Sequence, residues 1–60
     1  MREVTLFSKN SLGQVTQTAF CFELSALKFA REAALSEYVI AIRGRVLHWE
    51  GVANAYEFMR

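Results

Sequence analysis

The feature that most constrains this chain is the absence of any staple: its sixty residues contain one cysteine and one histidine. Cys21 has no partner for an internal disulfide, and one His with one Cys at no ligand-pair spacing does not make a metal site. A domain this short buries only about 60% of the surface of its unfolded chain, so it can build one thin core and no more. Hydrophobic residues form 53% of the sequence and charged residues 22%. That balance is far too apolar for a disordered segment, and it predicts one folded domain over residues 1–60. Without a staple, self-association is the remaining supplement to a small core, and a homodimer stays open.

The hydrophobic pattern changes period along the chain. Residues Glu3 to Lys9 and Val15 to Phe22 read as two strands joined through the turn formers Asn10-Ser11-Leu12-Gly13-Gln14. Cys21, between Phe20 and Phe22, reads as a buried, inert strand residue. From Ser25 to Tyr38 the apolar positions Leu27, Ala30, Ala34 and Tyr38 follow helical steps, with Ser25, Lys28, Arg31, Glu32 and Ser36 on the other side. Ser25 suits an N-cap, and Leu24 is placed to pack on Phe29 as a hydrophobic staple. Ala26, Ala30, Ala33 and Ala34 centre the inward stripe, and their small side chains let a helix lie close on a sheet.

Tyr38 to Ile42 is the strongest strand signal, nearly continuous in apolar residues and suited to a central position. At Arg43-Gly44-Arg45 the pattern fits either a tight turn or a bulge in one bent strand. Arg45 to Trp49 continues as strand, and Glu50-Gly51 reads as a two-residue turn. The final stretch supports two readings: Val52, Ala55, Tyr56 and Met59 have helical spacing, whereas Asn54, Tyr56 and Phe58 alternate. The turn signal just before it favours strand. The expected fold is therefore α+β: a small antiparallel sheet of about four strands in β-β-α-β-β order, with one helix on one face. One helix leaves the other face of the sheet uncovered, with eight aromatic residues in the chain to supply it.

Function classes narrow by elimination. The formal charge is +1, so no strong field recruits nucleic acid or anionic lipid. No apolar run approaches the ~20 residues of a membrane span, and no leader pattern opens the chain, which makes the cytoplasm the expected location. Phosphate-loop, nucleophile-elbow and HExxH motifs are lacking, and the glutamates fall at element ends and on the polar helix face. The expectation is a protein that is not an enzyme, uses no cofactor and has no catalytic or metal-ligating residue.

The candidate contact residues are Arg43, Arg45, His48 and Trp49, with Tyr56. Arg and Trp are enriched where proteins make high-value contacts, and the first four cluster on one otherwise apolar segment. Against this, Trp49 also fits the core, His48 a strand surface and the arginines solvated charge beside a turn. A protein partner is the leading expectation. A nucleic-acid surface is the alternative, with Lys9, Arg31, Arg43 and Arg45 on phosphates and Trp49 or Tyr56 stacked on bases.

The run Ala19-Phe20-Cys21-Phe22-Glu23-Leu24-Ser25-Ala26-Leu27-Lys28-Phe29-Ala30, followed by Tyr38-Val39-Ile40-Ala41-Ile42-Arg43, resembles the strand, capped helix, strand layout of small bacteriophage-encoded accessory proteins that inhibit host machinery. The likeness covers about half the chain and carries no inhibitory residue across. It implies a short, cofactor-free protein that occludes a surface on a larger host protein, acting in the host cytoplasm. The strong negative charge of DNA-mimicking inhibitors is missing here.

Overall fold

The computed structural model describes residues 3–59. It contains strands β1 (Val4–Lys9) and β2 (Val15–Phe20), helix α1 (Glu23–Glu32), strands β3 (Tyr38–Ile42) and β4 (Arg45–Glu50), and a short helix α2 (Ala55–Phe58). The strands form one antiparallel sheet in the order β2-β1-β3-β4. The fold is the expected α+β domain. Helix α1 crosses from β2 to β3 over the intervening β1 and packs against all three.

The β1–β2 connection is organised by Asn10, whose side-chain oxygen accepts from the N–H groups of Leu12 (2.9 Å) and Gln14 (3.0 Å). Its carbonyl accepts from Gly13, which holds the left-handed φ of 81° that such a loop needs. At the β3–β4 connection both Arg43 (φ 51°) and Gly44 (φ 80°) are left-handed, between the paired residues Ile42 and Arg45. Gly44 thus belongs to a two-residue turn of the type I′ kind, whose twist matches the strands it joins.

The bulge of this sheet lies elsewhere. Ile40 pairs with His48 but Ala41 with Val46, so Leu47 is the extra residue of β4. One consequence is that Val46 and Trp49, three apart, share a face of the sheet with Ala41 and Val39. His48 and Glu50 lie instead beside Ile40 and Tyr38 on the α1 face.

The main core forms between α1 and the sheet from Val4, Leu6, Ala26, Ala30, Tyr38 and Ile40, with Phe20, Leu27, Leu35 and Ile42 packed around it. Ala26 and Ala30 are fully buried, as the small-residue stripe requires, but Ala33 and Ala34 lie beyond the helix and are exposed.

Both helix ends differ from the sequence reading. The carbonyl of Phe22 accepts from the N–H groups of Ser25 and Ala26, so the helix begins ahead of Ser25, which stands in its first turn. No side chain caps it, Glu23 in the first turn answers the helix dipole, and Leu24 is exposed rather than stapled on Phe29. At the other end Ala34 N–H donates to the Arg31 carbonyl and Leu35 N–H to the Ala30 carbonyl. That is a Schellman closure with Ala34 at φ 54° where glycine is usual. The hydrophobic contact of Leu35 with the core stops the helix there, and Tyr38 opens β3 instead of ending α1. Cys21, expected inside a strand, falls in the exposed bend between β2 and α1, because β2 ends at Phe20.

The second face of the sheet is not left open. Val39 is fully buried and Ala41 nearly so, although both point away from α1. The chain after Gly51 turns back: α2 packs against β4, and Lys9 Nζ of β1 stands 5.6 Å from the ring centroid of Phe58. The favoured strand reading of the last segment is therefore corrected to helix. Asn54 decides it, its side-chain oxygen accepting from the N–H groups of Tyr56 (3.0 Å) and Glu57 (3.2 Å) as an N-cap does. Glu50-Gly51 is not a hairpin turn: Glu50 ends β4, and Gly51, at φ 66°, redirects the chain toward α2.

Candidate functional site

The bulge and the α2 cap together bring two exposed aromatic rings to one face of the molecule. The bulge turns Trp49 to the α2 face, where it is 53% exposed rather than buried in the core. Asn54 fixes the first turn of α2 and with it Tyr56, which is 58% exposed. Between them lies a shallow groove of about 360 Å³ lined by Val46, Trp49, Ala53, Asn54, Ala55 and Tyr56. None of these six carries a formal charge. An uncharged groove with two large aromatic rings is suited to receiving an apolar side chain, each ring offering a rigid surface and a polar tip.

The other candidate residues are distributed elsewhere. Arg43, within the type I′ turn, and Arg45, the first residue of β4 after it, border a second depression with Ile42, Val46 and Leu47. Arg45 and Trp49 stand four positions apart along the strand, roughly 12 Å at strand rise. His48 faces the α1 side: its Nε2 is 3.4 Å from the Tyr38 hydroxyl and 3.8 Å from Glu50 Oε2, with the Tyr38 ring centroid 5.9 Å away. The five candidates therefore occupy three places: Arg43 with Arg45 at the turn, His48 on the α1 face, and Trp49 with Tyr56 at the groove.

The basic residues of the nucleic-acid reading are also separated. Lys9 lies at the end of the sheet opposite Arg43, since Val4 pairs with Ile42 and Ser8 with Tyr38. Lys9 stands over Phe58 there, away from the Arg43–Arg45 turn. Among the described residues no group of three or more His, Cys, Asp and Glu side chains is placed to hold a metal ion, and no helix is long and apolar enough to cross a membrane.

The sequence reading missed Val46, Ala53, Asn54 and Ala55 as groove-formers. An Asn two residues before Tyr56 and three before Glu57 was an available capping signal for Asn54. The other three are small or aliphatic and become lining only through the bulge and the reversal at Gly51.

The Tyr38–His48–Glu50 contact has a testable electrostatic consequence. Burial, and after it the Glu50 carboxylate, push the Tyr38 hydroxyl above its ordinary pKa of 10.0, with Arg31 opposing. The folded state accepts the neutral phenol, so this contribution is fully present below pH 10 and is lost as pH rises through the higher folded-state value. The thermal midpoint should therefore fall more steeply above about pH 10 in the native protein than in Tyr38→Phe, which has no phenol to ionise. Parallel alkaline slopes for the two proteins would contradict this assignment.

Comparison with protein-family models, curated proteins and solved structures gave no match to this chain.

Proposed function

We propose that this chain is a non-catalytic protein-binding module whose contact surface is the groove between Trp49 and Tyr56. The observation that carries the reading is the exposure of these two rings around an uncharged groove, while among the described residues the largest fully buried side chains are Leu6, Ile40 and Val39. A chain so short of core gains most from burying its tryptophan, roughly 2–3 kcal/mol for a large apolar side chain. Leaving it half exposed is better explained by a partner than by the fold. The layout resemblance to phage accessory proteins is what suggests a binder that occludes part of a larger host protein. Arg43 and Arg45, at the turn, are assigned no share in this contact.

The test is a pull-down from nuclease-treated bacterial lysate at low and high salt, comparing the native protein, Trp49→Ala/Tyr56→Ala and Arg43→Ala/Arg45→Ala. Retained partner should drop about 30-fold or more with the aromatic pair, as for a hot-spot loss of ~2 kcal/mol, and persist with the arginine pair. Undiminished capture by a folded Trp49→Ala/Tyr56→Ala protein would sink the reading. Loss of all binding on nuclease or salt treatment would transfer it to nucleic acid.

A further inference from the structure

The two edges of the sheet are built differently. β4 carries Arg45, His48 and Glu50 and is interrupted by the bulge at Leu47, features that discourage a further strand. β2, at the other edge, reads Val15-Thr16-Gln17-Thr18-Ala19-Phe20, with no charge, no proline and an unbroken register against β1. Among the described residues nothing pairs with its outer side.

The direction of its free hydrogen-bonding groups can be worked out. Asn10 N–H donates to the Gln14 carbonyl, and the same register continues without a break to Val4 and Phe20. Antiparallel pairs alternate between bonded and non-bonded, so Thr16, Thr18 and Phe20 bond to β1, while the N–H and C=O groups of Val15, Gln17 and Ala19 point outward. A row of alternating donors and acceptors is complementary to one thing, another extended strand.

We propose that the occupant is a second copy of this chain, paired antiparallel through β2 about a two-fold axis at Gln17. In that register Val15 faces Ala19 of the second copy, Thr16 faces Thr18, and Gln17 faces its own equivalent. Every outward N–H and C=O of the three residues then finds a partner, and no charged side chain opposes another. The axis runs perpendicular to the sheet, so both α1 helices lie on the same side of a continuous sheet. Phe29, 42% exposed and 5.6 Å from Phe20 between ring centroids, stands at the β2 side of α1 beside the junction. The pairing extends a core too small to carry much stability alone. It uses the edge opposite β4 and leaves the Trp49–Tyr56 groove free.

Analytical ultracentrifugation from micromolar to millimolar concentration tests this on the native protein and on substitutions at the exposed Gln17. The native chain is expected to dimerise. Gln17→Pro keeps β2 paired to β1, because only the outward N–H is removed, but it should weaken dimerisation about 100-fold through the bonds lost on both sides of the axis. Gln17→Lys and Gln17→Glu place like charges opposite one another and should each weaken it about 5-fold, while an equimolar mixture of the two recovers native affinity. Circular dichroism confirms that each variant is folded, and the charged pair carries the test if the proline variant is not. A native chain that stays monomeric overturns the proposal. So does a dimer that folded Gln17 variants leave intact, or one lost only in Trp49→Ala/Tyr56→Ala.

Discussion

Replacing Gly51 with alanine is expected to destabilise the fold by about 2–4 kcal/mol. Two causes add. Gly51 holds φ 66°, in the region where an L side chain costs roughly 1 kcal/mol, and an added Cβ would fall inside van der Waals contact of the Ser36 carbonyl oxygen. That oxygen belongs to backbone in the α1–β3 connection and cannot swing aside as a side-chain tip can. Gly13 and Gly44 supply the controls: both are left-handed, at φ 81° and 80°, and a Cβ on either meets nothing within 4 Å. Their alanine variants should lose only the conformational share, about 1 kcal/mol each. Urea titrations of the three variants separate the terms, and equal losses at all three glycines would show that the Ser36 contact is relieved by a small backbone shift.

The second large effect is expected at Ile40. It is fully buried on β3, one of the two central strands, and its side chain lies in the α1 core with Leu6 and Tyr38. Ile40→Ala should cost about 3–4 kcal/mol through lost burial and the cavity left behind. A domain of this length holds roughly 3–9 kcal/mol in total, so the variant should be largely or partly unfolded under conditions where the native chain is folded. Leu47→Ala, at the 37% exposed bulge residue, removes a side chain of similar size and should change stability by no more than about 0.5 kcal/mol. Near-equal denaturation midpoints for the two variants would contradict the placement of the core.

How far these features could be read from the sequence depends on the range over which each is decided. The strands β1, β2 and β3 are written in local alternation and in the run Tyr38 to Ile42, and their positions agree closely with expectation. Ala26 and Ala30 likewise announced a close-lying helix. The ends of α1 were not legible, because the spacing of Ala34 and Tyr38 continues the helical period. It takes the burial of Leu35, a tertiary contact, to turn the chain at Ala34. Trp49 was ambiguous for a similar reason. Strand alternation gives two faces but not which is covered, and the bulge at Leu47 shifts the alternation by one residue just before it. Cys21 was misplaced because its aromatic neighbours look like strand interior, whereas only Phe20 belongs to the strand. For the last segment the decisive residue, Asn54, was in plain view, but its cap was outweighed by a turn signal at Gly51 that serves a different reversal.

The unlike edges of the sheet also bear on how far any strand-to-strand assembly can run. A sheet with two receptive edges adds copies head to tail without limit, which is the route to fibres. Here the bulge at Leu47 and the ionisable side chains of Arg45, His48 and Glu50 leave β4 unreceptive. Edge pairing through β2 consumes the one receptive edge of each copy at the first encounter. Growth by this route is self-terminating, and a chain rich in apolar residues can carry an uncharged six-residue edge without seeding a filament.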